Sequence, residues 1–243
     1  MPGPDRYERW CSGIGDELDY WRGALADPAS EVRQRFDPLR LFRDPELVTH
    51  LARGGRLRVL DVGAGPITNL GYLHPDVLIH ITAIDALADE FHALLLELDL
   101  WPPVVTIGLR GEELDRVLPA QVFDAAYCTN ALDHCFDPLG VIDNMLRSVR
   151  VGGVVSMLHF VDEGSFEDHR GLHQWDLRLE DDRPVLATPT RDSCVDLLAR
   201  YADQAEPVEL RRWELPFRDG VRPGFTLRLR RTCVGRDKAT FGL

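Results

Sequence analysis

The chain has 243 residues, of which 44% are apolar and 28% are charged, as is usual for a globular protein with one large domain or a domain plus a small appendage. Its net charge of −12 argues against nonspecific nucleic-acid binding, because phosphates would be repelled, and a small-molecule partner is expected instead. No apolar run approaches the ~18 residues of a membrane span, and the first residues lack the basic and apolar segments of a signal peptide, so we expect a cytoplasmic protein.

Residues 1–53 are rich in aromatic and charged side chains and are predicted to form an N-terminal helical cap. Three Asp-Pro pairs divide this segment, at Asp27-Pro28, Asp37-Pro38 and Asp44-Pro45. Each pair matches an N-cap residue followed by proline at the first helical position, so we predict several short helices. The aromatic side chains indicate that the cap packs on the domain formed by residues 54–243, or covers a pocket there.

Short β-branched runs alternate with helical patterns from residue 56 onwards. The predicted strands are Leu57–Val62, Leu78–Ile84, Val104–Ile107, Phe123–Cys128 and Val154–Phe160. Apolar residues at helical spacing predict a helix around Leu87–Leu98 and another that starts at Asp137-Pro138 and stops at Gly152-Gly153. Strands that alternate with helices at this interval form right-handed βαβ units, so the fold class is α/β with a doubly wound, mainly parallel sheet.

The end of the chain departs from this alternation. Residues 161–189 are predicted to be a polar insertion, and a helix is predicted near Asp192–Tyr201. Two alternating segments, around Val208–Leu215 and Phe225–Thr232, predict an antiparallel C-terminal hairpin that brings the sheet to seven strands.

The clearest motif spans residues 59–66, an apolar strand that leads into a glycine turn, with a helix predicted after it. Gly63 and Gly65 let the backbone pass close to a ligand at the carboxyl end of the strand, where open α/β sheets bind cofactors. A dinucleotide fingerprint needs a third glycine at the position of Thr68. The carboxylate of Asp61 would repel a pyrophosphate but can bind the ammonium of a methionine moiety. The motif therefore favours a cationic ligand, with a plain tight turn as the simpler alternative.

The second predicted strand ends in Asp85, about 20 residues past the glycine turn, where an acid accepts hydrogen bonds from the ribose hydroxyls of a nucleoside. We therefore predict that Asp85 binds the ribose of the cofactor. The alternative is that it only caps the following helix.

These segments resemble a class I S-adenosylmethionine-dependent methyltransferase of the methyltransferase type 11 group, over residues 56–160. The stretches GLRGEEL, which follows the third strand, and FDAAYCTNALDH, which forms the fourth, add to the likeness. The resemblance implies S-adenosylmethionine as the cofactor. It also implies that Glu112 lies near the adenine amino group. If the alignment with the family shifts by one residue, Glu113 takes that place instead. At the end of the fourth strand, Asn130 is expected beside the methyl-bearing sulfonium.

Methyl transfer from a sulfonium needs mainly the alignment of an acceptor and the removal of water. If the acceptor is a hydroxyl, a base that takes its proton helps, and imidazole suits that role near neutral pH. His134, just past the fourth strand, is the first candidate for a catalytic base, and His159, near the end of the fifth, is the second. The alternative for either histidine is that it only shapes the pocket.

The polar insertion carries His169, His173 and Trp175, which we predict to bind the acceptor, with the tryptophan stacking on a sugar or another ring. Histidines four residues apart share a helix face and could hold a metal, but Gly171 weakens a helix there and no H-E-x-x-H motif accompanies them. The five cysteines are scattered without a C-x-x-C pair, which favours reduced thiols over a zinc site or disulfides. No metal site is therefore predicted.

The sequence as a whole predicts O-methylation of a sugar or natural-product small molecule. An N- or carboxyl-methyltransferase and a non-catalytic regulatory protein that binds S-adenosylmethionine are the alternatives. The sequence leaves the oligomeric state open.

Overall fold

The computed structural model describes residues 4–190, 192–217 and 220–233. The strands in chain order are β1 (Arg56–Val62), β2 (Leu78–Asp85), β3 (Ile107–Gly108), β4 (Phe123–Thr129), β5 (Val149–Phe160), β6 (Asp176–Glu180), β7 (Arg183–Ala187), β8 (Cys194–Asp196), β9 (Ala205–Phe217) and β10 (Gly220–Arg231). The helices are α1 (Pro4–Ala26), α2 (Glu31–Gln34), α3 (Pro45–Leu51), α4 (Ala88–Glu97), α5 (Leu114–Val117), α6 (Pro138–Ser148), α7 (Glu163–Phe166) and α8 (Leu197–Tyr201). Two single turns of 3-10 helix, Gly111–Glu113 and Leu132–His134, follow β3 and β4.

Seven strands form one sheet in the order β3-β2-β1-β4-β5-β10-β9. Strands β1 to β5 run parallel, whereas β10 is antiparallel to both β5 and β9. This arrangement confirms the predicted doubly wound α/β fold and its antiparallel C-terminal hairpin. The predicted strand Val104–Ile107 is wrong in extent, because only Ile107–Gly108 pairs with β2.

Side chains of the central strands alternate between two apolar layers, as the pleat of a strand dictates. On one face of the sheet, Leu60 of β1 belongs to a core that includes Val141 of α6. On the other face, Val59 belongs to a core that includes Val48 of α3. Smaller apolar clusters join α1 to α4 and bring Leu172 against both.

The helix predicted after the glycine turn is wrong. Residues 63–77 form an irregular connection between β1 and β2, and α3, which precedes β1 in the chain, covers that face of the sheet instead. The connection exchanges backbone hydrogen bonds with residues 40–43, among them Phe42 N to Leu73 O and Tyr72 N to Arg40 O, both at 2.8 Å. These partners lie about 30 residues away in the chain, so no local pattern reveals them.

The N-terminal segment is helical, as predicted, but its helices differ from those expected. One 23-residue helix, α1, replaces several short ones. The side chains of Asp27 and Asp37 accept hydrogen bonds from the backbone two residues on, at 2.9 Å, and therefore form turns. Only the pair Asp44-Pro45 begins a helix, α3. None of the helices in the described part of the chain combines the length and the apolar character needed to cross a bilayer.

The stretch predicted as a polar insertion contains two strands that were not predicted. Strands β6 and β7 pair with β8 in a separate three-stranded antiparallel sheet. Consequently the helix predicted near Asp192–Tyr201 is shorter, and α8 begins at Leu197 after the N-cap Asp196. The predicted start of α6 is confirmed, since Asp137 accepts from Gly140 N at 3.1 Å. Its predicted stop at Gly152-Gly153 is wrong, because those glycines lie within β5.

Candidate active site

A cleft of about 1040 Å³ lies where the carboxyl ends of β1, β2, β4 and β5 meet, with α1 along one side. Most of the residues that the sequence predicted for the site line this cleft: Asp61, Gly63, Gly65, Asp85, Asn130, His134, His159 and His173. The structure brings them together because parallel strands end at one edge of the sheet. Residues of α1 that were not predicted, Glu17 and Trp21 among them, line the same cleft.

The glycine turn admits no side chain at either of its glycines. Both have positive φ angles, +69° at Gly63 and +64° at Gly65. A methyl group added at Gly65 would lie 2.7 Å from the ring of Trp21, and one at Gly63 would lie 2.4 Å from the Cβ of Ala131. The turn therefore brings bare backbone to the floor of the cleft.

Asp61 is a buried carboxylate at the end of β1, only 2% exposed. Burial raises its pKa to about 6, although the hydroxyl of Thr68 donates a hydrogen bond to Oδ2 at 2.5 Å and favours the charged form. Thr68 is itself fully buried, so it acts as a fixed support for the acid. Sequence reasoning had noted Thr68 only as a missing glycine.

Asp85 ties the end of β2 to the glycine turn. Its Oδ2 accepts a hydrogen bond from Gly65 N and its Oδ1 accepts one from Leu87 N, both at 2.9 Å. Burial raises the pKa of Asp85 to about 6. A carboxylate has about four acceptor sites, so two remain for hydroxyl groups in the cleft.

A narrower pocket opens beside the cleft, between β2 and the segment after β4, and Leu87, Leu109 and Phe136 form part of its apolar wall. Glu112 lines this pocket, and its carboxylate accepts hydrogen bonds from Phe136 N at 3.2 Å and Asp137 N at 3.4 Å. Burial raises the pKa of Glu112. Glu113 lines neither cavity and pairs with Arg110 at 2.8 Å, so Glu112 is the acid that faces the pocket.

Asn130 follows β4 in the left-handed region, with φ of +49°. Its side-chain oxygen accepts a hydrogen bond from Phe160 N at 3.3 Å, and its backbone N donates to Leu158 O at 2.7 Å. These contacts fix the ends of β4 and β5 relative to each other. Asn130 thus lies in the wall of the cleft, as predicted, and its contact with a cofactor stays a prediction.

Asp133, His134 and His173 form a cluster whose two histidines line the cleft. Nδ1 of His173 lies 2.7 Å from Oδ2 of the fully buried Asp133 and 3.2 Å from Nε2 of His134. Burial alone would lower the pKa of His173, but the hydrogen bond and charge of Asp133 outweigh it and raise that pKa. Burial would likewise raise the pKa of Asp133, and the neighbouring histidines lower it instead. Sequence reasoning missed Asp133, although it directly precedes His134.

His159 is buried at the end of β5, and both of its ring nitrogens lack a hydrogen-bond partner among the described residues. Burial lowers its pKa to about 4, so the ring is neutral at physiological pH. A base of that pKa removes protons poorly near pH 7. The ring nevertheless lines the cleft near Asp133, whose negative charge opposes the effect of burial on the pKa of His159.

Two predicted acceptor-binding residues line neither cavity. Trp175 belongs to the apolar core, where its Nε1 donates to the carbonyl of Cys135 at 2.8 Å and the guanidinium of Arg6 lies over its ring. His169 lies 3.8 Å from Asp176, away from the cleft. The prediction that Trp175 stacks on the acceptor therefore does not fit its position. The sequence did not reveal this, because a tryptophan has an apolar ring and one N–H donor, which suit a buried core as well as a binding site.

A buried ion pair borders the far end of the cleft. Glu163 of α7 and Arg222 of β10 form a hydrogen-bonded pair, each less than 10% exposed. The guanidinium of Arg222 also lies over the rings of Phe160 and Phe166. This contact joins the predicted insertion to the C-terminal hairpin and encloses the cleft on that side.

A doubly wound sheet, a bare glycine turn flanked by two carboxylates, and an adjoining apolar pocket with a third acid define a nucleoside-binding α/β protein. Residues 60–157 match the protein family described as Methyltransferase domain. This segment is therefore similar to a methyltransferase domain, the class that the motifs of the sequence predicted.

Solved structures share this fold. The chain is similar to the 1,6-didemethyltoxoflavin-N1-methyltransferase of Burkholderia thailandensis, with a TM-score of 0.52 and 17% identity over 96% of this chain and 92% of that one. That structure contains 1,6-didemethyltoxoflavin and S-adenosylhomocysteine. The YcgJ protein from Bacillus subtilis is also similar, with a TM-score of 0.52 and 15% identity over 77% of this chain and 97% of that one. No curated protein sequence matches the chain.

Proposed function

We propose that the protein transfers the methyl group of S-adenosylmethionine to a hydroxyl oxygen of a small molecule, a sugar or natural product, held in the cleft. The observation that carries this proposal is the shared cleft: one cavity is lined by the acid-flanked glycine turn and by His134 and His173, which contact the buried Asp133 behind them. The first part suits the cofactor and the second suits an acceptor that must lose a proton.

The cofactor part follows from charge. At physiological pH both Asp61 and Asp85 are mostly ionised, since each has a pKa of about 6. Asp61 attracts the ammonium of the methionine moiety, and Asp85 accepts hydrogen bonds from the ribose hydroxyls. Glu112, in the pocket beside the ribose, accepts from the adenine amino group. Bare backbone at Gly63 and Gly65 gives the nucleoside room to lie against the turn.

The acceptor part follows from chemistry. An alcohol is a poor nucleophile until its proton is removed or its O–H bond is polarised, whereas the sulfonium needs no activation. As the oxygen attacks, the O–CH₃ bond forms and the S–CH₃ bond breaks, and the electron pair of the latter stays on sulfur to give S-adenosylhomocysteine. His134 and His173 of the cluster line the cleft that would hold the acceptor, which supports a role for the cluster in the loss of that proton. A carboxylate acceptor would need no such group.

The test is incubation with methyl-labelled S-adenosylmethionine and a panel of glycosides, polyketides, amines and small acids, followed by mass spectrometry. The expected product carries the label on a hydroxyl oxygen, and the variant Asp85→Asn forms it at least about tenfold more slowly at subsaturating cofactor. The matched control is Asp115→Asn, which changes an exposed carboxylate of α5 outside both cavities.

Label found on nitrogen or on a carboxylate oxygen would overturn the methylation of a hydroxyl group. Cofactor binding without transfer to any acceptor would instead favour a regulatory protein. The cytoplasmic location and the division of the chain at residue 53 stay predictions.

A further inference from the structure

Three side chains bring one donor atom each to the same point of the cleft wall. Oδ2 of Asp133 and Nδ1 of His173 lie 2.7 Å apart, and Nε2 of His134 lies 3.2 Å from the latter and 3.6 Å from the former. We propose that Asp133, His134 and His173 hold one divalent first-row transition-metal ion, which binds the acceptor oxygen from the cleft side. The ion site is independent of the proposed function, whereas the part of the ion in methyl transfer rests on it.

The distances fit ligands of a single ion. Atoms about 2.1 Å from a metal, at angles of about 80–120° to one another, stand roughly 2.7–3.6 Å apart. The spacings of the three donor atoms, 2.7, 3.2 and 3.6 Å, span that range. The three donor atoms are therefore spaced as the ligands of one ion would be.

Hydrogen bonding alone satisfies the cluster poorly. Nδ1 of His173 carries one proton at most, and Oδ2 of Asp133 at 2.7 Å is its natural acceptor. Nε2 of His134 then faces a nitrogen that has no lone pair to offer, and it receives at most a share of the same proton. An ion resolves this conflict, because both nitrogens and the carboxylate oxygen then direct lone pairs at one positive charge.

Buried polar atoms next to the cluster supply an independent observation. Asp133 is fully buried, and its Oδ1 lacks a hydrogen-bond partner among the described residues. Both ring nitrogens of His159 and the side-chain nitrogen of Gln174 share that property within the described part of the chain. Buried polar groups are rarely left without hydrogen-bond partners. Several such atoms near one cluster therefore indicate a polar ligand there. Water bound to a metal ion donates hydrogen bonds, so it can satisfy a buried acceptor such as Oδ1 of Asp133.

The ligand set selects the kind of ion. Two imidazoles and one carboxylate suit Zn²⁺, Mn²⁺, Fe²⁺ or Co²⁺, whereas Mg²⁺ and Ca²⁺ prefer oxygen ligands alone. Three protein ligands also leave coordination positions open, as in catalytic rather than structural sites. The two histidines line the cleft while Asp133 lies behind them, so the open positions face the space for the acceptor.

The ion gives the cluster a definite task in methyl transfer. Coordination of the acceptor hydroxyl lowers its pKa, and its proton leaves to water in the cleft. The resulting oxygen anion attacks the methyl carbon, and the ion is released from the methylated oxygen as S-adenosylhomocysteine forms. His134 then acts as a metal ligand rather than as the free base that its position in the sequence suggested.

The test measures metal binding without turnover. The untagged full-length protein is stripped with a chelator and titrated with Zn²⁺, Mn²⁺ and Mg²⁺ by calorimetry, and with Co²⁺ by visible absorption. We expect one equivalent of Zn²⁺, Mn²⁺ and Co²⁺, with Mg²⁺ weaker by at least about 100-fold. Absence of binding, or Mg²⁺ binding as tightly as Zn²⁺, would overturn the site.

Variants locate the ion. The double variant His134→Ala/His173→Ala should lose the Co²⁺ spectrum and weaken Zn²⁺ binding by at least about 100-fold, with thermal melting as a check of folding. The control His169→Gln removes a histidine four residues from His173 and should bind the ion unchanged. Binding retained by the double variant contradicts the assignment.

Activity separates this inference from the proposed function. If the ion binds but no oxygen acceptor is methylated, the site stands and the proposed function fails. If an acceptor is methylated, stripping the ion should lower kcat at least about 100-fold, and Zn²⁺ or Mn²⁺ should restore it. Full turnover by the stripped protein would overturn the role of the ion.

Discussion

Affinity for the cofactor should depend on pH, because two buried carboxylates flank its site. Burial raises the pKa of Asp61 to about 6 and that of Asp85 to about 6. Only the ionised forms attract an ammonium or accept hydrogen bonds at all of their oxygens. Binding therefore favours ionisation, so affinity is retained above pH 6 and is lost as the pH falls through that value.

The size of the effect follows from the ionised fraction. A group with a pKa of about 6 is roughly one-tenth ionised at pH 5 and almost wholly ionised at pH 7.5. The Kd should rise about tenfold over that interval if one carboxylate is coupled to the ligand, and up to about 100-fold if both are. These factors correspond to about 1.4 and about 2.7 kcal/mol of binding free energy.

Calorimetry with S-adenosylhomocysteine measures this dependence, since that ligand keeps the ammonium and the ribose but cannot react. The variant Asp61→Asn should bind more weakly at pH 7.5 and lose its share of the pH dependence. Asp115→Asn, which alters a surface carboxylate on α5, should behave as the unmodified protein does. An affinity that stays constant within about a factor of two between pH 5 and pH 7.5 would refute the assignment of both acids.

Three further changes test the support of the site. Thr68→Val removes the hydrogen-bond donor to buried Asp61, so urea titrations at pH 7.5 should show a loss of about 1.5–3 kcal/mol of unfolding free energy. Because that hydrogen bond favours the ionised form of Asp61, its loss should also raise the pH below which cofactor binding weakens. Gly65→Ala places a methyl group at a φ of +64° and 2.7 Å from the ring of Trp21, so we expect a loss of at least about 1–2 kcal/mol in the same titrations. Calorimetry should show weaker binding of S-adenosylhomocysteine. Trp175→Phe removes the hydrogen bond to Cys135, so thermal melting should show a loss of about 1–3 kcal/mol, while the KM of the acceptor stays unchanged because the ring lies outside the cleft.

Strands and the residues at their ends could be predicted because both depend on short-range patterns. The strand containing Val59 and Leu60 is apolar on both faces, which is typical of a parallel strand covered on two sides. Asp61, Asp85 and His159 could then be placed together, since the ends of parallel strands share one edge of the sheet.

Features that depend on distant contacts could not be predicted. An aspartate before a proline supports a helix N-cap and a turn equally well locally, and at Asp27 the true cap comes three residues later, at Ser30. Trp21 and Glu17 line the cleft because α1 packs beside it. Their spacing in the sequence does not indicate where α1 packs. The pairing of His173 with Asp133 joins residues 40 positions apart, so it too required the fold.

The position of α3 has a practical consequence for work with fragments. Val48 and its neighbours on this helix cover the sheet face that carries Val59 and Tyr127, both of which are fully buried. A protein that lacks residues 1–53 would expose that apolar face to water and would be prone to aggregate. Helix α3 is therefore an integral layer against the sheet, and shortened versions for crystallisation should retain it.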